Sequence, residues 1–157
     1  MTLHAAIVRI AESQLNVREV GGNNLGPDVA KYQKSTNIAP GAWPWCSAFV
    51  TWVIDQACIA SGITVPVYRG GLAYDWEKHG KQNGWILLDE NNPEKPGDLV
   101  TYDFSHIGIV TSNNKKSIST IEGNTCPKGS RDSETGDGVW NMVRARHLVK
   151  SFIRIPT

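Results

Sequence analysis

The sequence predicts an α+β fold, with N-terminal helices packed on a C-terminal antiparallel sheet of about five to six strands. Three observations lead there. Apolar residues recur with a helical period through the first half of the chain, whereas the second half alternates with a period of two. Clusters of Gly, Pro and Asn punctuate both halves at short intervals. The length of 157 residues suits one domain, and residues 1–157 are expected to form a single unit.

Residues 2–17 read as an amphipathic helix. Leu3, Ile7, Ile10, Ala11 and Leu15 fall near one stripe, Arg9, Glu12 and Ser13 lie opposite, and Thr2 is placed as N-cap. Gly21-Gly22-Asn23-Asn24 makes a turn. Pro27 and Asp28 then open a short helix to about residue 35, since proline suits the first turn and aspartate the positive end. A loop follows over 37–44. From Trp45 to about Ala60 the pattern is helical and apolar over most of its circumference, which predicts a buried helix stopped by Gly62. A short helix is expected over 72–78. Strands are expected at 85–88, 99–102, 106–110, 117–122, 141–146 and 151–155, separated by turns such as Pro96-Gly97-Asp98. Arg144, Arg146, Lys150 and Arg154 alternate with Val143, Ala145, Phe152 and Ile153. They read as the solvated face of edge strands in preference to a site for an anionic polymer.

Lys and Arg number 16 and Asp and Glu 15, a net charge of +1, which argues against a dedicated nucleic-acid binder. No apolar run is long enough for a membrane helix. His4, Arg9 and Glu12 break any leader-like segment, so the chain is expected to start in a cytoplasm or to leave by a route without a signal. The cysteines Cys46, Cys58 and Cys126 include no Cys-x-x-Cys pair, and neither a metal site nor a cofactor is expected. Six Trp make an indole-lined groove conceivable, although core packing accounts for most of them.

Cys46 follows Pro44-Trp45 at the start of the buried helix, where unpaired N–H groups and partial positive charge favour a thiolate. An inert buried thiol is the alternative. Cys58 lies roughly 120° further around the same helix and reads as core, and Cys126 as a loop thiol. A cysteine nucleophile needs a base. His4, His79 and His147 sit in polar or terminal settings, whereas His106 begins an apolar strand, and Gly108 leaves room beside it on the same face. If the next strand returns through Asn113-Asn114, counting the register brings Glu122 opposite His106. A carboxylate there would hold the imidazole as the third member of a Cys–His–acid arrangement. Asn124 shares that face.

These residues resemble the CHAP domains (cysteine, histidine-dependent amidohydrolase/peptidase) of the NlpC/P60-like, papain-related superfamily. The matching stretches are Trp43-Pro44-Trp45-Cys46-Ser47-Ala48-Phe49-Val50, Lys95-Pro96-Gly97-Asp98-Leu99-Val100, Ser105-His106-Ile107-Gly108-Ile109-Val110 and Ile121-Glu122-Gly123-Asn124-Thr125. The resemblance implies bacterial peptidoglycan as partner and amide hydrolysis as reaction. It implies Cys46 as nucleophile, His106 as base, Glu122 as orienting residue and Asn124 as accessory. Trp43 and Trp45 flank the nucleophile as candidate groove walls, with core packing the alternative. Asn23 and Asn24 are candidate lining residues, with turn formation the plainer role. The acidic calcium loop of some members has no counterpart in Asn37-Ile38-Ala39-Pro40-Gly41-Ala42.

The resulting expectation is a monomeric, phage endolysin-like endopeptidase without a cell-wall binding domain. It would be made in the host cytoplasm and act on the wall after release, with no nucleic acid or membrane insertion involved. The alternatives are an N-acetylmuramoyl-L-alanine amidase with the same three residues, an inactive wall-binding module, a protein-directed papain-like enzyme and a redox thiol protein. The last lacks a resolving cysteine near Cys46.

Overall fold

A computed structural model describes residues 1–127 and 136–157. Four helices come first: α1 (Leu3–Glu12), α2 (Pro27–Gln33), α3 (Cys46–Ser61) and α4 (Asp75–Gln82). Six strands follow: β1 (Ile86–Leu88), β2 (Leu99–Tyr102), β3 (Ile107–Asn113), β4 (Ser117–Thr125), β5 (Gly138–Ala145) and β6 (Val149–Arg154). They form one antiparallel sheet in the order β1-β6-β2-β3-β4-β5. The α+β expectation is met.

Local chemistry sets the helix ends. Thr2 caps α1 by accepting from the Ala5 N–H. Pro27 and Asp28 occupy the first turn of α2. Gly62 ends α3 in the left-handed conformation at φ 72°, its N–H returning to the Cys58 carbonyl. α1 stops earlier than its apolar stripe suggests, because Ser13 Oγ hydrogen-bonds the Ile10 carbonyl and a turn replaces the last helical residues. The helix expected at 72–78 forms one turn later, as α4.

Alternation along the strands divides the sheet into two faces. Leu99, Ile109, Ile121 and Ile153 are fully buried and pack with α1 and α3 in the main core. Their neighbours Val100, Val110 and Phe152 point the other way and join Tyr102, Ile118 and Val149 in a second, smaller cluster.

On β5 the expected alternation is inverted. Val143 is 71% exposed, while Arg144 is buried at 4%. The solvated-face reading of the four cations also fails for two of the others. Arg146 grips Glu94 and Arg154 grips Asp98, whereas Lys150 is exposed as expected while reaching Glu77. Of the cysteines, Cys58 is half-buried at the rim of the main core instead of inside it, and all three thiols are free.

Candidate active site

Cys46 is the first residue of α3 and is 4% exposed. The preceding Trp45 caps the helix without any side-chain hydrogen bond. The Trp45 side chain thus does not compete for the N–H groups of the first turn, which carry the positive end of the helix.

The sheet supplies the other partners. His106 immediately precedes β3 and Glu122 lies in β4, both buried, and His106 Nε2 meets Glu122 Oε1 at 2.7 Å. The sequence register is corrected here. β3 and β4 pair Ile109 with Ile121, so the same register sets Glu122 opposite Gly108, not His106. Glu122 reaches His106 diagonally. A Cβ on Gly108 would stand 2.6 Å from Glu122 Cγ, so the missing methyl is the space the Glu122 side chain crosses. A second close approach joins sheet to helix. A Cβ on Gly123 would stand 2.7 Å from Phe49 Cβ, one turn along α3 from Cys46. Beside it Asn124 is buried with φ 56°, and the β4–β5 ladder shifts register between Glu122 and Thr125.

Glu122 is saturated with donors. Oε1 also accepts from Arg144 Nη2 at 2.7 Å. Oε2 accepts from the Tyr102 hydroxyl, Thr120 Oγ1 and Arg144 Nε. Tyr102, Phe104 and His106 stack along the β2–β3 connection, with ring centroids 5.1 Å apart for the first pair and 5.9 Å for the second. The Arg144 guanidinium lies over the Tyr102 and Phe104 rings.

These contacts decide the protonation pattern. Burial alone would raise the Glu122 carboxyl. The charge and hydrogen bond of His106, then those of Arg144, outweigh it and hold Glu122 well below the usual carboxylate range. Burial would lower the His106 imidazole. Cys46 and then Glu122 overcome this, raising it to about 9. Burial and the Glu122 charge push the Tyr102 hydroxyl far up, so it stays a donor. With Nε2 committed to Glu122, only Nδ1 remains to face Cys46. Nδ1 makes no hydrogen bond of normal geometry, although Cys46 is the strongest of the groups raising the ring. Cys46 thus acts on the ring, and Nδ1 is the nitrogen that Glu122 leaves open.

The remaining sequence candidates sit elsewhere. Trp45 is fully buried, stacked on Tyr32 at 5.7 Å and bonded through Nε1 to Glu19, which corrects its reading as a groove wall. Trp43 is half-buried, its Nε1–H donating to the Ala39 carbonyl. Asn23 is exposed, and Asn24 is buried at φ 61° in the turn closed by the Val20 N–H and the Leu25 carbonyl. Among the described residues no hydrogen bond joins Asn23 or Asn24 to Cys46, His106 or Glu122, and the turn accounts for both. Among the described residues no cluster of His, Cys, Asp and Glu is arranged to hold a metal ion. Sequence reasoning missed Tyr102, Thr120 and Arg144. Thr120 could have been found, since it lies two residues before Glu122 on the same strand face.

The chain was compared with known proteins. The CHAP domain family profile matches residues 38–124, more than half of the 157. Similar solved structures include "The crystal structure of Ly7917" and "The crystal structure of Ly7917 with the hydrolyzing product of MDP". Each has a TM-score of 0.56 and 16% identity, covering 99% of this chain. At that identity the likeness shows the fold, and this chain spans 63% of the length of that one. A search of the curated proteins finds no match.

Proposed function

On the premise that this chain belongs to the CHAP domain family, a family of peptidoglycan hydrolases, we propose that it is a cysteine-dependent endopeptidase of the bacterial cell wall. The observation that carries the reading is the burial of Cys46, His106 and Glu122, with His106 bonded to Glu122 at 2.7 Å and the ring raised by Cys46 and Glu122 together. In this reading the Cys46 thiolate attacks a peptide carbonyl and forms a thioester. His106, protonated at Nδ1, gives that proton to the leaving amine. The now neutral imidazole takes a proton from water, whose oxygen cleaves the thioester, and the Cys46 thiolate and His106 imidazolium are restored. Glu122 holds the ring and balances imidazolium. The N–H of Cys46, at the uncapped start of α3, supports a role as one donor to the oxyanion. Asn124 serves as an accessory polar group beside Glu122. The endolysin-like setting and the monomeric state belong to the same proposal and rest on the family resemblance.

The test is product mass spectrometry on purified peptidoglycan digested by the wild type and by Cys46→Ala. Fragments with one new amine each, from the wild type only, are the expected result. Their masses separate an endopeptidase from an amidase with the same three residues. Fragments from neither protein on several wall types would favour a binding module and defeat the proposal.

A further inference from the structure

Arg144 breaks the pattern of its own strand. A residue with five N–H donors is buried at 4% on β5, while its apolar neighbour Val143 stands 71% exposed. Nothing in the alternation of the sequence calls for this, and burying an ion pair is costly unless its geometry is good. Departures of this kind concentrate where function needs them. The geometry here is good. Nε and Nη2 take opposite oxygens of Glu122 at 3.1 and 2.7 Å, and Nη2 shares Oε1 with His106 Nε2.

We propose that Arg144 is a positioning residue for the His106–Glu122 pair. Its fork fixes the plane of the carboxylate with Oε1 turned to His106, and its permanent charge takes part of the carboxylate's negative charge away from the ring. The proposal rests on the reading of His106 as the catalytic base, but its geometry does not need a substrate. Among the described residues, the charged or titratable groups around His106 are Cys46 from α3, Tyr102 from β2, Glu122 from β4 and, through Glu122, Arg144 from β5. Tyr102 is neutral, so Arg144 is the one cation among these four. Without it, Glu122 would stabilise imidazolium more strongly. The consequence is a ring that still releases its proton near the range where water must be activated.

The first variant is Arg144→Gln, which keeps a donor near Glu122 and removes the charge. The His106 ring is followed by NMR titration in the full chain. Its midpoint is expected to rise by about one pH unit, the lower end of what a nearby charge does, because Arg144 acts at one remove. The alkaline limb of peptidoglycan hydrolysis is expected to move up with it, while Arg144→Lys stays within a few tenths of a unit of the wild type. A second measurement needs no variant. In the wild type the Arg144 Nε–H resonance is expected to shift with the same midpoint as the His106 ring, since both bond to Glu122. An unchanged or lowered His106 midpoint in Arg144→Gln overturns the proposal, and so does an Arg144 resonance that is featureless across the His106 transition. If Arg144→Gln does not fold, the wild-type resonance decides alone. If the wall is never cleaved but both NMR results hold, the hydrolase reading fails and the positioning role stands.

Discussion

Replacing Gly108 with alanine puts a methyl group 2.6 Å from Cγ and 3.3 Å from Cδ of Glu122. Ordinary contact begins at 3.4 Å, so Glu122 or the strand must give way by about 0.8 Å. Glu122 has little freedom, because His106, Arg144, Tyr102 and Thr120 all hold its two oxygens. A displacement of that size along the 2.7 Å bond to His106 would take it beyond hydrogen-bond length. Overpacking of this kind costs about 1–3 kcal/mol. For a domain of this size, 2 kcal/mol corresponds to a fall in Tm of roughly 4–8 °C. The chemistry should suffer separately. With its Glu122 contact loosened and its burial unchanged, the His106 imidazole drops from about 9 toward its ordinary value. The assay is a thermal melt at pH 7 together with an NMR titration of the His106 ring. A melt within about 1 °C of the wild type and an unmoved His106 midpoint would refute the claim that Gly108 is the opening through which Glu122 reaches His106.

Two further perturbations test the same network and a third tests the entry of α3. Glu122→Gln takes the Glu122 charge away from the buried Arg144 and His106 and should cost about 3–5 kcal/mol, read by chemical denaturation, with the His106 midpoint falling from about 9. Stability should also depend on pH in two directions. The lowered Glu122 carboxyl contributes fully above its unfolded value and is lost as pH falls through its folded one. The raised His106 contributes fully below its unfolded value of 6.5 and is lost as pH rises through about 9. Urea midpoints should therefore be highest between about pH 5 and 6.5 and decline on either side, and a flat profile from pH 4 to 10 would contradict the pairing. Trp45→Phe keeps a ring against Tyr32 but loses the bond to Glu19. Lost hydrogen bonding and volume should lower stability by about 1–2 kcal/mol, with the KM for the wall unchanged, whereas a raised KM would return Trp45 to the groove.

The helices were legible because their signals are local. Thr2, Pro27 and Gly62 act within one turn of themselves, and the apolar surface of α3 is read directly from its residues. The pairing of His106 with Glu122 was legible in identity but not in register. The β3–β4 loop spans residues 114–116, one position beyond the turn centre the asparagines suggest, and a bulge between Val110 and Ser112 takes back only part of the shift. The right partner was reached because Gly108 opens a diagonal path, and a register count alone contains no such path. β5 was misread for a different reason. Its alternation of Val and Arg looks like an amphipathic strand, and only the buried Glu122, 22 residues away in sequence, turns Arg144 inward. Trp45 likewise cannot be assigned to groove or core from its neighbours, since Tyr32 and Glu19, which enclose it, come from distant segments.

The most direct measurement of the central claim is an acid-quenched reaction with a soluble peptidoglycan fragment, read by the intact mass of the protein. The expected result is a wild-type chain heavier by the acyl part of the fragment, with the added mass mapped to Cys46 and absent from Cys46→Ala, which also releases no amine. Equal release of amine by Cys46→Ala, with no adduct at Cys46 in the wild type, would contradict the account.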